Sequence, residues 1–81
     1  MFYVYIIHSL TINKFYVGSC QNLEQRINDH LNGRSKFTKV AKDWILKYSE
    51  EFETRTEAIQ REMKIIKMKS RIYIEKLINE Q

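Results

Sequence analysis

FYVGSC, residues 15–20, reads as a β-strand until Gly18 interrupts it. A glycine inside such a run weakens the strand unless something needs the space its side chain leaves empty. The chain has only two glycines, so this one asks for a reason. Upstream, FYVYIIH (2–8) is β-branched or aromatic almost throughout, which suits a strand covered on both faces. Between the two runs, SLTIN (9–13) supplies a connection in which Asn13 favours a turn. The two runs therefore pair as a β-hairpin.

Working outward, NLEQRINDHLNG (22–33) predicts a helix. Asn22 can cap it, Gln25 stands at the capping-box position and Gly33 follows its end. Its apolar stripe is Leu23, Ile27 and Leu31. A polar, basic loop follows, and WILKYSEEF resumes strand character around residues 44–48. Thr54 and Glu57 form a second capping box, opening a helix that runs to about Lys67. Ser70 can cap a last helix whose apolar positions are Ile74, Leu77 and Ile78. The expected fold is α+β, a small three-stranded, mainly antiparallel sheet flanked by helices, in the order β-β-α-β-α-α. Residues 1–81 form a single domain, since a chain of this length supports one core.

Composition narrows the function. One cysteine, Cys20, gives no internal disulfide, and with two histidines it makes a poor zinc set. FYVYII is too short to span a membrane and lacks the basic leader of a signal peptide, so a cytoplasmic protein is expected. The net charge of +4 is concentrated. Arg34, Lys36, Lys39, Lys42 and Lys47 against Asp43 account for all of it, and the remaining charges balance. That segment suits a polyanion, and it equally suits an ordinary solvated loop.

Three further features stand out. Glu62 has helical ridge neighbours Ala58, Ile59, Ile65 and Ile66, all apolar, where a carboxylate is costly without a cation or donors. It is either a functional group or an edge carboxylate paired with a lysine. Arg26 and His30 stand one helical turn apart, and Arg26 offers a planar fork for phosphate oxygens, although surface arginines are common on helices. Tyr3, Tyr5 and Tyr16 all fall in the hairpin, where tyrosines usually serve the core with a satisfied hydroxyl.

Taken in order, these features resemble a known family. YVY (3–5) and YVG (16–18) resemble the paired signature of the GIY-YIG nuclease superfamily. NLEQRINDH (22–30) is similar to that family's Asn-Leu-x-x-Arg-x-x-x-His segment, and EAIQREMKIIK (57–67) to its glutamate-bearing helix. Each motif alone is weak; the ordered set spans nearly the whole chain. The likeness points to the small stand-alone branch similar to the nuclease domain of the excision-repair protein UvrC.

The resemblance implies metal-dependent hydrolysis of nucleic-acid phosphodiesters, with DNA the expected substrate. By position it assigns Tyr5, Tyr16, Arg26, His30 and Glu62 to catalysis. Glu62 would hold one Mg²⁺ or Mn²⁺, Arg26 would clamp the phosphate and Tyr16 would act as general base. A free tyrosine ionises near pH 10, so such a base needs positive charge beside it. Gly18 would let backbone or substrate approach closely, and Arg34, Lys36, Lys39 and Lys42 would contact nucleic acid. The chain departs from the pattern at Tyr3, in place of the first glycine, and at Ser19, where repair nucleases often carry lysine. His30 stands where branches differ between tyrosine and histidine, and Asn79 is only a distant match to the asparagine some members use. Two other readings stay open: a non-catalytic nucleic-acid-binding module, and a nuclease that needs a protein partner or a second copy of itself.

Overall fold

A computed structural model describes residues 1–80 of the chain. Strand β1 (Phe2–Ser9) and strand β2 (Lys14–Cys20) form the expected hairpin. Helix α1 (Leu23–Leu31), strand β3 (Trp44–Phe52), helix α2 (Arg55–Met68) and helix α3 (Arg71–Asn79) follow. The sheet order is β2-β1-β3, with both neighbours antiparallel to β1. The fold is the expected α+β one.

The central position of β1 explains its composition. Residues 4–9 are all buried, and alternate side chains enter different cores. Val4 and Ile6 join Val17, Ala58 and Ile65 beneath α2 and α3. Tyr5 and Ile7 join Ala41 and Trp44 on the other face, where Leu23 and Ile27 of α1 cover them. On that face the helix presents His30, fully buried, rather than Leu31, which is 36% exposed.

Caps set the helix boundaries. Asn22, Thr54 and Ser70 each accept from a backbone N–H in the first turn, and Thr54–Glu57 closes as a capping box. Gly33 follows α1 with φ 71°, the left-handed region glycine favours. Strand β3 runs four residues beyond the expected 44–48. Its extension pairs with the start of β1, from Val4↔Glu50 to Phe2↔Phe52, after an irregularity in register between Ile6 and Ile7. Glu50 tolerates the strand because Arg61 from α2 holds its carboxylate at 3.1 Å.

Candidate active site

Tyr5 and Gly18 face each other across the hairpin. A Cβ on Gly18 would lie 2.6 Å from Tyr5 Cζ and press against its hydroxyl oxygen. The glycine is therefore a matter of room, since its backbone does not require the left-handed region. The close approach expected from substrate or backbone is made by the Tyr5 ring, which lies over Gly18.

That ring ends in a hydrogen-bonded chain. Tyr5 Oη lies 2.7 Å from His30 Nε2, and His30 Nδ1 lies 2.6 Å from Thr38 Oγ1. Arg26 Nε donates to Tyr5 Oη over a long 3.4 Å. Trp44 Nε1 donates to the Thr38 carbonyl at 2.8 Å, fixing the next link. Tyr5, His30 and Thr38 are all but inaccessible to solvent. Burial pushes the Tyr5 hydroxyl up to about 12, against the pull of Arg26. Burial, helped by the Arg26 charge and opposed by Asp29, lowers His30 to about 4. Near pH 7 Tyr5 thus keeps its proton and His30 is neutral.

A neutral imidazole donates from one nitrogen and accepts at the other. The Thr38 hydroxyl is fully buried, and its partner among the described residues is His30 Nδ1. Buried hydroxyl protons need acceptors, and the one accepting nitrogen of neutral His30 can serve either Thr38 or Tyr5. Tyr5 Oη accepts from Arg26, and in the tautomer where Thr38 takes the accepting nitrogen the Tyr5 proton is left for another acceptor.

The remaining residues assemble around this chain. Tyr16 packs its ring on His30, with centroids 5.2 Å apart. Arg26 keeps about a third of its side chain exposed, with Asp29 at 3.9 Å. Glu62 reaches β2 from the α2 side: Ser19 Oγ donates to its carboxylate at 2.6 Å. Ser19 is the chain neighbour of Gly18, and adjacent strand residues point to opposite faces. The site therefore wraps the β2 edge of the sheet, with the tyrosines, Arg26 and His30 on one face and Glu62 on the other. Of the ridge around Glu62, Ala58 and Ile65 are buried while Ile59 and Ile66 are 39% and 49% exposed. The carboxylate is half-buried at an edge, and its partner is a serine hydroxyl rather than a lysine.

The basic segment leaves α1 and folds as consecutive turns. Arg34 is committed in part to Asp29, at 3.5 Å, whereas Lys36, Lys39 and Lys42 are exposed. Asp43 ends it: Ser9 Oγ and the Thr11 backbone N–H donate to its two oxygens, at 2.5 and 2.9 Å. Asn79, at the end of α3, lines a groove with His8, Leu10 and Asn13 at the hairpin turn, and is not brought to Glu62.

Sequence reasoning missed Thr38 and Trp44, the pairing of Ser19 with Glu62 and the anchoring of the turn by Asp43. A hint existed for Thr38: Ser35, Thr38 and Ala41 recur every three residues through the basic stretch.

Comparison with known proteins places the fold in a family. The family model described as the GIY-YIG catalytic domain matches residues 1–77. The chain belongs to the GIY-YIG family. It is 39% identical over 64 residues to a UPF0213 protein of Staphylococcus saprophyticus, covering 78% of this chain and 77% of that one. Similarity to the UPF0213 protein YazA of Bacillus subtilis is 35% over 71 residues, covering 83% and 72%. No solved structure matches the chain. GIY-YIG domains are nuclease domains acting on nucleic acid, so the chain carries a nuclease fold. No helix among the described residues is long and apolar enough to cross a membrane.

Proposed function

We propose that this GIY-YIG protein is an endonuclease that hydrolyses phosphodiester bonds in DNA, using a divalent cation held by Glu62. The observation that carries the reading is the Tyr5 hydroxyl, fixed by His30 and Arg26 above Gly18 and next to Tyr16. A core tyrosine needs one hydrogen-bond partner. This one has two, one of them an arginine about a third exposed whose other N–H groups can meet a phosphate.

In this reading Arg26 binds the scissile phosphate and offsets charge that builds on it in the transition state. Tyr16, as the phenolate favoured by the positive charge of Arg26 and the cation, takes a proton from the attacking water. The water oxygen bonds to phosphorus as the bond to the leaving oxygen breaks, and that leaving oxygen takes a proton from solvent. Tyr5, protonated, holds that water or a phosphate oxygen through its proton when Thr38 donates to His30 Nδ1. His30 and Thr38 keep Tyr5 in place and do not exchange protons with the substrate. Among the described residues no three His, Cys, Asp or Glu side chains cluster as a cage. A lone, half-buried carboxylate beside a hydroxyl fits one Mg²⁺ or Mn²⁺ that keeps its waters and meets substrate oxygens. When bound, the cation would supply electrostatic stabilisation of the leaving oxygen.

A second reading, a nuclease that works as a homodimer or with a protein partner, is favoured by α2. Ile59, Met63 and Ile66 recur at helical spacing and are 39%, 62% and 49% exposed. Sedimentation of the isolated chain distinguishes a dimer from a monomer.

The test is cleavage of end-labelled DNA by the isolated chain with Mg²⁺, with Mn²⁺ and with chelator. Glu62→Gln removes the anionic ligand and nearly keeps its shape. The variant should be folded, inactive, and able to bind DNA in chelator. In the same assay Tyr16→Phe should lower the rate about 10²–10⁴-fold with little change in affinity. Cleavage by Glu62→Gln at the unmodified rate would remove Glu62 from catalysis.

A further inference from the structure

The basic turn between α1 and β3 is organised in three rows. Thr38 N–H bonds to the Ser35 carbonyl and Ala41 N–H to the Thr38 carbonyl, each an i to i+3 bond like those of a 3₁₀ helix. In such turns side chains three apart align. Ser35, Thr38 and Ala41 form the buried row. Lys36, Lys39 and Lys42 form a second, exposed row. Phe37 and Val40 form the third, and they are 73% and 67% exposed.

An exposed valine or phenylalanine alone calls for no explanation. This pair differs in standing on a hydrogen-bonded turn beside a row of cations. The buried row is pinned by Thr38, whose hydroxyl meets His30 and whose carbonyl accepts from Trp44. Ser9 and Thr11 hold the far end through Asp43. A phenyl ring on a pinned turn spares the backbone part of the ordering cost when a flat partner arrives. The neighbouring lysines select a polyanion as that partner. A polyanion that also offers an apolar, planar face is a nucleic acid with an unpaired base, because paired bases in a duplex hide their faces in the stack.

We infer that Phe37 is a stacking platform for an unpaired nucleobase, flanked by phosphate contacts from Lys36, Lys39 and Lys42. The inference rests on the nucleic-acid reading above and narrows its substrate to strands with unpaired bases. The platform is one residue from Thr38, and Thr38 reaches Tyr5 through His30, so a stacked base is registered against the candidate catalytic residues.

The test measures affinity of the full chain in chelator, which prevents cleavage. Three fluorescein-labelled probes are used: a single strand, the blunt duplex of the same sequence, and an equally long single strand of abasic sites. Phe37→Ala should weaken binding to the ordinary single strand about 5- to 150-fold, the range of one base–aromatic stack. It should leave the duplex and the abasic strand within about twofold, and Phe37→Trp should restore the loss. Equal weakening on all three probes, or no change on any, overturns the stacking role while leaving the nuclease reading in place. A chain that binds none of the probes overturns both.

Discussion

Gly18 shows how one residue can be fixed by another. Its backbone would accept any amino acid, yet the Tyr5 ring occupies the place of a Cβ. Tyr5 has little freedom to move, being buried and tied at its hydroxyl to His30 and Arg26. Gly18→Ala should therefore cost about 1–3 kcal/mol in urea denaturation, the usual range for overpacking. In a Tyr5→Leu background the obstructing ring end is gone, and the same substitution should cost much less. A full, additive cost in that background would show that Gly18 is needed for some reason other than room. The sequence showed that this glycine was costly and therefore meaningful. It could not show what fills the space, because Tyr5 and Gly18 meet only through the hairpin register. Ser19 and Glu62 were likewise opaque, being 43 residues apart in the chain.

At the scale of elements, what was local was legible. The hairpin and the starts of α1, α2 and α3 follow from residues within a few positions, and Asn22, Thr54 and Ser70 cap them as the sequence predicts, although Gln25 turns to Asp29 instead of closing a capping box. What depends on distant pairing was not. Strand β3 continues through Ser49–Phe52 because β1 lies beside it. His30 replaces Leu31 as the buried residue of α1 because Tyr5 and Thr38 supply partners for both its nitrogens. The basic segment, expected as a loop, is a pinned turn that aims three lysines outward. Neutralising Lys36, Lys39 and Lys42 together should weaken DNA binding. The slope of log affinity against log salt should also fall by up to about 2.7 on duplex, or roughly 2.1 on single strands. An unchanged slope would return the segment to a solvated turn with no phosphate contacts.

Over the whole molecule, His30 is where three parts of the fold meet: β1 through Tyr5, α1 through its own backbone, and the basic turn through Thr38. Its protonation is therefore a test of global stability. Folding lowers His30 from 6.5 to about 4, so between these values the unfolded chain binds a proton that the folded chain refuses. Stability then rises with pH across this window: the contribution is complete above about 6.5 and lost as pH falls to 4. A shift of this size corresponds to a loss on the order of 3 kcal/mol. Asp43 adds a separate, lower window. The Ser9 hydroxyl, followed by the Thr11 backbone, holds its carboxyl down at about 2 against 3.8 unfolded, so its contribution is present above 3.8 and lost as pH falls to 2. Urea midpoints should accordingly drop first between pH 6.5 and 5, before most carboxylates titrate, and again below pH 4. His30→Gln, less stable overall, should lack the first step. Ring signals of His30 followed by NMR should titrate near 4. A His30 ring titrating near 6.5, or midpoints that stay level down to pH 5, would show that the imidazole is not held neutral between Tyr5 and Thr38.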